Sequence, residues 1–491
     1  MAGGYANGSP PDAVRTRFAD LPLAAAGKAA MKEAFQYEFL TEIQQKTFAA
    51  VHNGCDVLAR AKTGSGKTLS FLLPSVDRLN SKDDVSPCDI AMLVLTPVRE
   101  LSMQVAAEAE KLTRFYTDCS MVCMTGGVPW EEDLEALGAA SGYVTLVGTP
   151  GRLQTHAAKT PGFAEKLGKV QILVLDEVDQ LSSEIFRKAT LDIVGCLPPP
   201  AQRQNLFYSA TMAESVSHLV KQIGKADYLF VDVIPPDELL VPEHIRQSYT
   251  VLSTEQMTQC LWASLKQAKA EADDTKVVVI FMTGRIAAYY AEAFRKSGMD
   301  FPVFEIHARR SQKQRTDESE RFRVATRGVL FTSDVSSRGL DYPGVTHVIQ
   351  MGAAHSKAEY IHRLGRTGRA GREGQGLLLL HDFERGFLDE LADLALAEAA
   401  LPEASDMPDF PVMAIAKNVK AQAYYSRINH VMRNSSLEKL EIMREAKRFA
   451  ASIGALDEEG RPPEITRDNA EKMGVAELDD PCVYIVASPS K

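Results

Sequence analysis

The stretch Ala59-Arg60-Ala61-Lys62-Thr63-Gly64-Ser65-Gly66-Lys67-Thr68 leaves the chain around it few folds to choose from. Val57, Leu58 and Ala59 read as a buried strand, and residues 69–73 begin a helical pattern. The Gly-rich turn between them, with the helix N-terminus behind it, makes a cradle of backbone N–H groups for an anion. Lys67 suits terminal phosphates, and the Thr68 hydroxyl suits Mg²⁺. Ala61 stands where the general pattern has its first Gly. A surface turn is the bland alternative, but strand before and helix after favour a nucleotide phosphate site.

That unit sits in an α/β alternation. Apolar runs at 57–59, 90–95, 121–124, 144–147, 172–175, 205–208 and 228–231 read as strands with helical segments between them. The pattern predicts a parallel sheet covered by helices on both faces, with ligands beyond the carboxyl ends of the strands. Ile234-Pro235-Pro236-Asp237 with Pro242 reads as a stiff connection. Alternation resumes at 247–251, 277–281, 303–306, 328–332, 347–350 and 377–380, without a second phosphate loop. Two like units and one loop suggest one nucleotide bound in a cleft between them. The expected division is a disordered tail at 1–17, an ATP-binding domain at 18–232 and a linker at 233–244. A second domain at 245–383 and a mainly helical extension at 384–491 complete it. In the extension, 387–401 reads as an amphipathic helix. The segment 417–450 reads as a basic one carrying Lys417, Lys420, Arg427, Arg433, Lys439, Arg444, Lys447 and Arg448 around Tyr424 and Tyr425. A solvated face and an RNA-contacting surface are equally good readings of it. Beyond 458 the sequence is polar and Pro-punctuated and carries no clear pattern.

Length and composition bound the rest. A chain of 491 residues with 45% apolar content has room for about three ordinary domains. No apolar run reaches the roughly 20 residues of a membrane helix. A net charge of −10 means that nucleic-acid binding must come from local basic surface. The cysteines at 55, 88, 119, 123, 196, 260 and 482 form no zinc-spaced set and read as reduced, buried thiols of an intracellular protein. Residues 1–11 lack the build of a signal peptide or a mitochondrial presequence, so a soluble cytoplasmic or nuclear protein is expected.

Two further motifs carry chemistry. Val174-Leu175-Asp176-Glu177-Val178-Asp179 sets carboxylates directly after an apolar strand. Asp176 is then placed to hold Mg²⁺, through water, while Glu177 orients and deprotonates the attacking water. The alternative is an acidic cap on the next helix. His362-Arg363-Leu364-Gly365-Arg366-Thr367-Gly368-Arg369 offers arginines on a Gly-punctuated loop, suited to charge at a transferring phosphoryl group. Alone, it would be a solvent-facing basic loop.

With these motifs in this order, residues 18 to 381 resemble a DEAD-box ATP-dependent RNA helicase of superfamily 2. That family's phosphate loop begins with Ala, as Ala61 to Thr68 does. The resemblance implies two tandem RecA-like domains, ATP and Mg²⁺ as cofactors, RNA as partner and a monomer. Phe18 would stack on adenine and Gln44 would read its edge. Ala61, Lys62, Thr63, Gly64, Ser65, Gly66, Lys67, Thr68, Gly339 and Asp341 would complete the nucleotide site, with Asp341 at the ribose. Arg366 and Arg369 would be arginine fingers beside Lys67 and Glu177. Pro97, Arg99, Gly126, Gly127, Thr149, Pro150, Gly151 and Arg152 in the first domain resemble RNA-backbone motifs. Thr283, Gly284, Arg315 and Ser333 do so in the second, with Arg338 in the same motif as Ser333. Asp179, Ser209, Thr211 and His362 would couple hydrolysis to domain closure.

Some positions depart from the family pattern. Val178 replaces an Ala, Leu40 a Pro, Val98 a Thr and Ser333 a Thr, while Tyr37 stands where Phe is common. Each essential group remains. The form of residues 40–47 and the basic tail resemble the mitochondrial-type RNA-chaperone branch, which points to that organelle despite the missing presequence. Expected activity is RNA-stimulated ATP hydrolysis coupled to local remodelling of duplexes or RNA–protein complexes. An ATP-gated RNA clamp or assembly scaffold is the rival. A DNA translocase is disfavoured by the adenine-reading motif.

Overall fold

The computed structural model describes residues 16–62, 64–81, 86, 89–234, 241–242, 244–333, 342–368, 372–400 and 415–488. Its backbone contacts divide it near residue 238, and each unit carries one seven-stranded sheet.

The first sheet comprises β1 (Val57–Arg60), β2 (Ile90–Leu95), β3 (Cys119–Met124), β4 (Tyr143–Gly148), β5 (Ile172–Asp176), β6 (Gln204–Ser209) and β7 (Leu229–Asp232). Their spatial order is β3-β4-β2-β5-β6-β1-β7, and every pairing is parallel. β2, β4, β5 and β6 are buried along their whole length, as strands covered by helices on both faces must be. One core cluster holds Phe71, Leu72, Val94 and Tyr208, and the other holds Leu93, Leu175, Phe207 and Val220. Alternate side chains of one strand thus go to opposite faces.

The second unit repeats the plan with β8 (Ile245–Leu252), β9 (Lys276–Phe281), β10 (Val303–Ile306), β11 (Gly328–Thr332), β12 (His347–Met351), β13 (Gly374–His381) and β14 (Ala397–Glu398). The order is β10-β11-β9-β12-β13-β8-β14, again all parallel. Ile415, Ala423, Phe449 and Ile453 of the C-terminal helices share a core cluster with Val277, Val279 and Phe294 of this unit. The strands expected from the apolar runs occur within a few residues of their expected edges. No described helix is long and apolar enough to cross a membrane.

Several expectations are corrected. Residues 387–401 are not one helix: Phe387–Glu390 makes a single turn, Ala392–Leu394 a 3₁₀ turn, and Ala397–Glu398 joins the sheet edge as β14. Ala395 at φ +51° ends the helical path, and Gln247 Nε2 donates to the Leu394 carbonyl across 2.8 Å. Pairing to an unfilled edge outweighs local helix preference. The 417–450 segment is two helices, Lys417–Asn434 and Lys439–Ser452, broken where Glu438 caps the second with Glu441 reaching back. Its basic residues do not form one solvated face. Lys420 and Arg427 are buried, Arg444 pairs with Asp480 at 2.9 Å, and Lys447 Nζ donates to the Pro481 carbonyl. Past residue 458, a helix at Arg467–Met473 and a two-stranded sheet of Ile465–Thr466 with Ile485–Val486 close a small core around Tyr424, Ile428 and Met443. At the other end, Thr16 and Arg17 belong to the folded chain. The Leu40 N–H donates to the Thr16 carbonyl at 3.0 Å, and Arg17 bridges Phe39. Among the cysteines, Cys55 is an exposed free thiol and not a buried one. Residues 1–15 of the expected tail, most of the expected linker (235–240 and 243) and Cys88 lie outside the described residues.

Candidate nucleotide and RNA site

Sheet order gathers the motifs at one carboxyl edge. β5, β6 and β1 are neighbours, so Asp176-Glu177, Ser209 and the Ala61–Thr68 turn emerge side by side. On the other half, β3, β4 and β2 are neighbours and release Gly126-Gly127, Thr149-Pro150-Gly151-Arg152 and Pro97 to Arg99. The sheet therefore separates a phosphate-binding half from a second anion-facing half.

The turn after β1 has the conformation its glycines permit. Gly64 and Gly66 lie at φ +77° and +92°, and Gly66 caps the helix Lys67–Asn80. A Cβ at Gly66 would fall 2.6 Å from Gln44 Nε2, so the loop and Gln44 are in close contact. Gln44 Nε2 donates to the Gly66 carbonyl at 3.0 Å, and Gln44 Oε1 accepts from the Thr41 N–H at 2.9 Å. An amide has two N–H groups and two lone pairs, so one of each remains for an adenine edge. Ser65 Oγ donates to the Lys62 carbonyl at 2.8 Å. Buried Lys67 holds its ammonium on the Ala61 carbonyl at 2.9 Å, across the mouth of the turn. Thr68 is half-buried in the first helical turn. Thr63 lies outside the described residues.

Asp176 ends β5, buried, with Oδ1 accepting from the Glu177 N–H at 3.0 Å. Burial raises the pKa of its carboxyl, Lys67 and the Glu177 N–H pull it down, and Asp179 pushes it up again. A buried carboxylate that needs positive charge, beside a half-buried Thr hydroxyl and a donor-rich turn, fits Mg²⁺ carried in with a nucleotide. Glu177 sits at φ +55°, an uncommon place for a side chain with a Cβ, and its Oε2 accepts from Gln180 Nε2. Such strain is characteristic of functional positions. Val178 is fully buried in the β-face cluster with Leu175 and Leu181, so its additional methyls are accommodated. Ser209 Oγ donates to the Thr211 carbonyl at 2.6 Å, and Thr211 Oγ1 donates to Asp179 Oδ2 at 3.2 Å.

Phe18 is 3% exposed and packs in the core as the first residue of the Phe18–Asp20 turn.

On the other half, a Cβ at Gly126 would lie 2.7 Å from Arg99 Nη2, which puts Arg99 directly against the Gly126-Gly127 turn. Pro97 is buried behind them. Thr149 caps the helix Pro150–Lys159, whose first turn presents exposed Gly151. Arg152 is held by a cluster that the sequence reading missed. Its Nε donates to Asp133 Oδ2 at 2.6 Å, and its guanidinium lies 5.0 Å from the Trp130 ring. His156 Nε2 meets the same oxygen at 2.9 Å, and its ring stacks on Trp130 at 3.7 Å. Burial lowers the His156 pKa, and Asp133 partly restores it. The i, i+4 spacing of Arg152 and His156 was the available signal; the partner across the fold was not legible.

In the second unit, β10, β11 and β9 are neighbours, and Arg315, Ser333 and Thr283 lie beyond their carboxyl ends. Thr283 caps the helix Gly284–Lys296, and the Ser426 hydroxyl of the C-terminal helix donates to Thr283 Oγ1 at 2.8 Å. Arg315 is buried with Nη2 on Gln312. Ser333 is buried, its carbonyl accepting from Thr332 Oγ1. His362, Arg363 and Arg366 are all buried. Arg363 pairs with Glu359 at 3.3 Å, and Arg366 Nε donates to the His362 carbonyl. Arg338, Gly339, Asp341 and Arg369 lie outside the described residues.

Comparison with known proteins gives the family. Residues 41–219 match the DEAD/DEAH box helicase family, and residues 257–371 match the helicase conserved C-terminal domain. The chain is 36% identical over 470 residues to DEAD-box ATP-dependent RNA helicase 25 of Oryza sativa subsp. japonica, covering 94% of this chain and 77% of that one. It is also 36% identical over 466 residues to DEAD-box ATP-dependent RNA helicase 26 of the same plant, covering 94% of this chain and 85% of that one. Among solved structures, Mss116p bound to ssRNA and AMP-PNP superposes with a TM-score of 0.81 at 26% identity, covering 95% of each chain.

Proposed function

The chain belongs to the DEAD-box ATP-dependent RNA helicases, and on that premise we propose how its residues divide the work. It is an RNA helicase that hydrolyses ATP, with two RecA-like sheets and RNA as its partner. Residues 18–232 form the ATP-binding domain, 233–244 the linker, 245–383 the second helicase domain and 384–491 the extension. The turn from Ala61 to Thr68 binds the phosphates through backbone N–H groups, and Lys67 transfers its ammonium from the Ala61 carbonyl to the terminal phosphates. Thr68 and Asp176, the latter through water, would hold Mg²⁺, which would supply positive charge to the phosphates. Gln44 offers its spare N–H and lone pair to adenine, and the ribose is assigned to Asp341 and Gly339 by the family resemblance.

Glu177 orients and deprotonates the attacking water. Its carboxylate accepts from Gln180, which helps to hold it in place. Arg366 and Arg369 counter the charge that builds on the transferring phosphoryl group. RNA phosphates lie along Arg99, Gly126, Gly127 and the helix N-terminus behind Thr149 in the first domain. Thr283, Gly284, Arg315 and Ser333 receive them in the second. Backbone contacts of this kind position RNA without reading its sequence. Thr211 and Asp179, with Ser209 and His362, couple hydrolysis to remodelling. ATP and RNA each contribute to one closed state, so each raises affinity for the other.

The observation that carries this reading is the emergence of the phosphate turn and Asp176-Glu177 from one sheet edge, with Ser209 between them. Steady-state ATP turnover without nucleic acid, with RNA and with matched DNA tests it. Turnover that rises with RNA alone and vanishes in Glu177→Gln supports the assignment. Turnover indifferent to RNA, or surviving that substitution, overturns it. Duplex displacement against ATP-dependent retention on single-stranded RNA separates an unwinder from a clamp.

A further inference from the structure

Behind Thr283, between β9, the helix Gly284–Lys296 and the two C-terminal helices, lies a small cavity with room for a single water-sized occupant. Its lining includes Thr254, Phe281, Met282, Tyr290, His381 and Arg427. Arg427 is the one full charge in that lining, and it is 1% exposed. Among the described residues its Nη1 reaches only the Met282 sulfur, at 3.5 Å, while Nε and Nη2 have no hydrogen-bond partner. Three N–H groups of a buried guanidinium are thereby left without an acceptor.

Among the described residues no side chain of the lining hydrogen-bonds to Nε or Nη2, and the rings of Phe383 and Phe449 lie 5.4 and 6.0 Å from the guanidinium carbon. The Thr254 hydroxyl is committed to Glu445 Oε2 at 2.8 Å and lies 3.1 Å from His381 Nδ1. Burial holds His381 neutral, well below its ordinary pKa. Phe281, Met282 and Tyr290 form apolar walls. Glu384 and Glu445 favour the Arg427 charge electrostatically, against the cost of burial, but neither hydrogen-bonds to it. A native protein seldom leaves buried donors unpaired. Water would satisfy the donors too, but only an anion would add to the partial neutralisation that Glu384 and Glu445 give.

We propose that this cavity is a binding site for one small monovalent anion, of halide or formate size, held on Nε and Nη2 of Arg427 in the seam between the second helicase domain and the C-terminal helices.

The test uses the full chain without nucleotide or RNA. Unfolding temperature is followed as sodium chloride, bromide or formate replaces the salt of a bulky organic sulfonate at constant ionic strength. The expected result is a saturable rise of about 2–4 °C that is absent in Arg427→Met. Chloride, bromide and formate separate a halide site from a carboxylate one. The Met variant keeps the stem's volume and removes the unpaired charge, so it unfolds no earlier than wild type when only the sulfonate is present. Bromide-soaked crystals of the wild type provide a readout that does not depend on the variant folding, with an anomalous peak beside Arg427. An equal salt response in both proteins overturns the proposal, and so does density for water alone at that position.

Discussion

Thr211 donates its hydroxyl to Asp179 Oδ2 at 3.2 Å, tying the segment after β6 to the carboxylate that follows β5. Ser209 fixes the Thr211 end of this link by donating to the Thr211 carbonyl. The two strands lie side by side, so a change at Glu177 reaches Thr211 through one hydrogen bond. Replacing Thr211 by Ala removes that bond without touching the phosphate turn. We expect the Michaelis constant for ATP to change little, since the lost bond lies outside the phosphate turn. Duplex displacement per ATP hydrolysed falls by about tenfold or more. Parallel turnover and strand-displacement assays check it, and equal losses in both would remove the coupling role.

Glu177 combines burial, a left-handed backbone and a Gln180 partner. Glu177→Gln preserves shape and hydrogen bonding but cannot take a proton. RNA-stimulated turnover should drop by about 10²-fold or more, while affinity for a fluorescent ATP analogue is retained. Stopped-flow binding beside steady-state turnover distinguishes this from a folding defect.

Gly66 is required by geometry. At φ +92°, any other residue is strained, and a Cβ there would fall 2.6 Å from Gln44 Nε2. Gly66→Ala must displace Gln44 or distort the turn, at a cost of about 1–2 kcal/mol from the backbone alone. We expect nucleotide affinity to weaken by about tenfold or more. The same strain should lower the unfolding temperature of the nucleotide-free protein by a few degrees. Calorimetric titration with ATP checks the first, and thermal unfolding checks the second.

Much of this site was readable from sequence because it is local. A strand, a Gly-rich turn and a helix occupy consecutive residues, and the strand 172–176 is apolar until the residue that carries chemistry. Periodicity failed where distant contacts decide. Residues 387–401 have a helical pattern, but the free edge of β8 captures Ala397–Glu398. Lys420 and Arg427 look like solvated charges on a helix, yet both point into packed surroundings. Gln44 was legible as a polar reader; its bond to the Gly66 carbonyl depends on a fold that brings residues 22 positions apart together. The Asp133–His156–Arg152 cluster is of the same kind, since no spacing announces a carboxylate on the preceding helix.

Asp133 is 2% exposed and receives both Arg152 and His156 on one oxygen. Asp133→Asn removes the charge while leaving Arg152 close by, so its guanidinium loses its carboxylate. Breaking such a buried arrangement costs about 3 kcal/mol. Trp130 stacks on His156 and is a fluorescent reporter of the same cluster. We expect a lower denaturant midpoint for the Trp130 signal, with the midpoint reported by Trp262 in the other unit much less affected.

Glu305 gives a pH prediction for the second unit. Burial raises its pKa, but hydrogen bonds from His307 and Arg295 outweigh that and bring it from 4.5 down to about 2. Arg310 adds a third contact at 2.8 Å. A carboxylate with a depressed folded pKa stabilises fully above its unfolded value, and that contribution is lost as pH falls through the folded one. The window therefore runs from about pH 4.5 down to about pH 2. Arg295 and Arg310 are 38% and 26% exposed, so solvent screens the pair. After that discount the contribution is about 2 kcal/mol. In a Trp130→Tyr background, Trp262 reports this unit alone, because the chain has only 2 Trp. Urea unfolding should place Glu305→Gln about 2 kcal/mol below its parent at pH 7. The gap should narrow steadily as pH drops from 4.5 toward 2, because the parent loses what the variant never had. A gap independent of pH would mean that the substitution acts through packing rather than through the carboxylate charge.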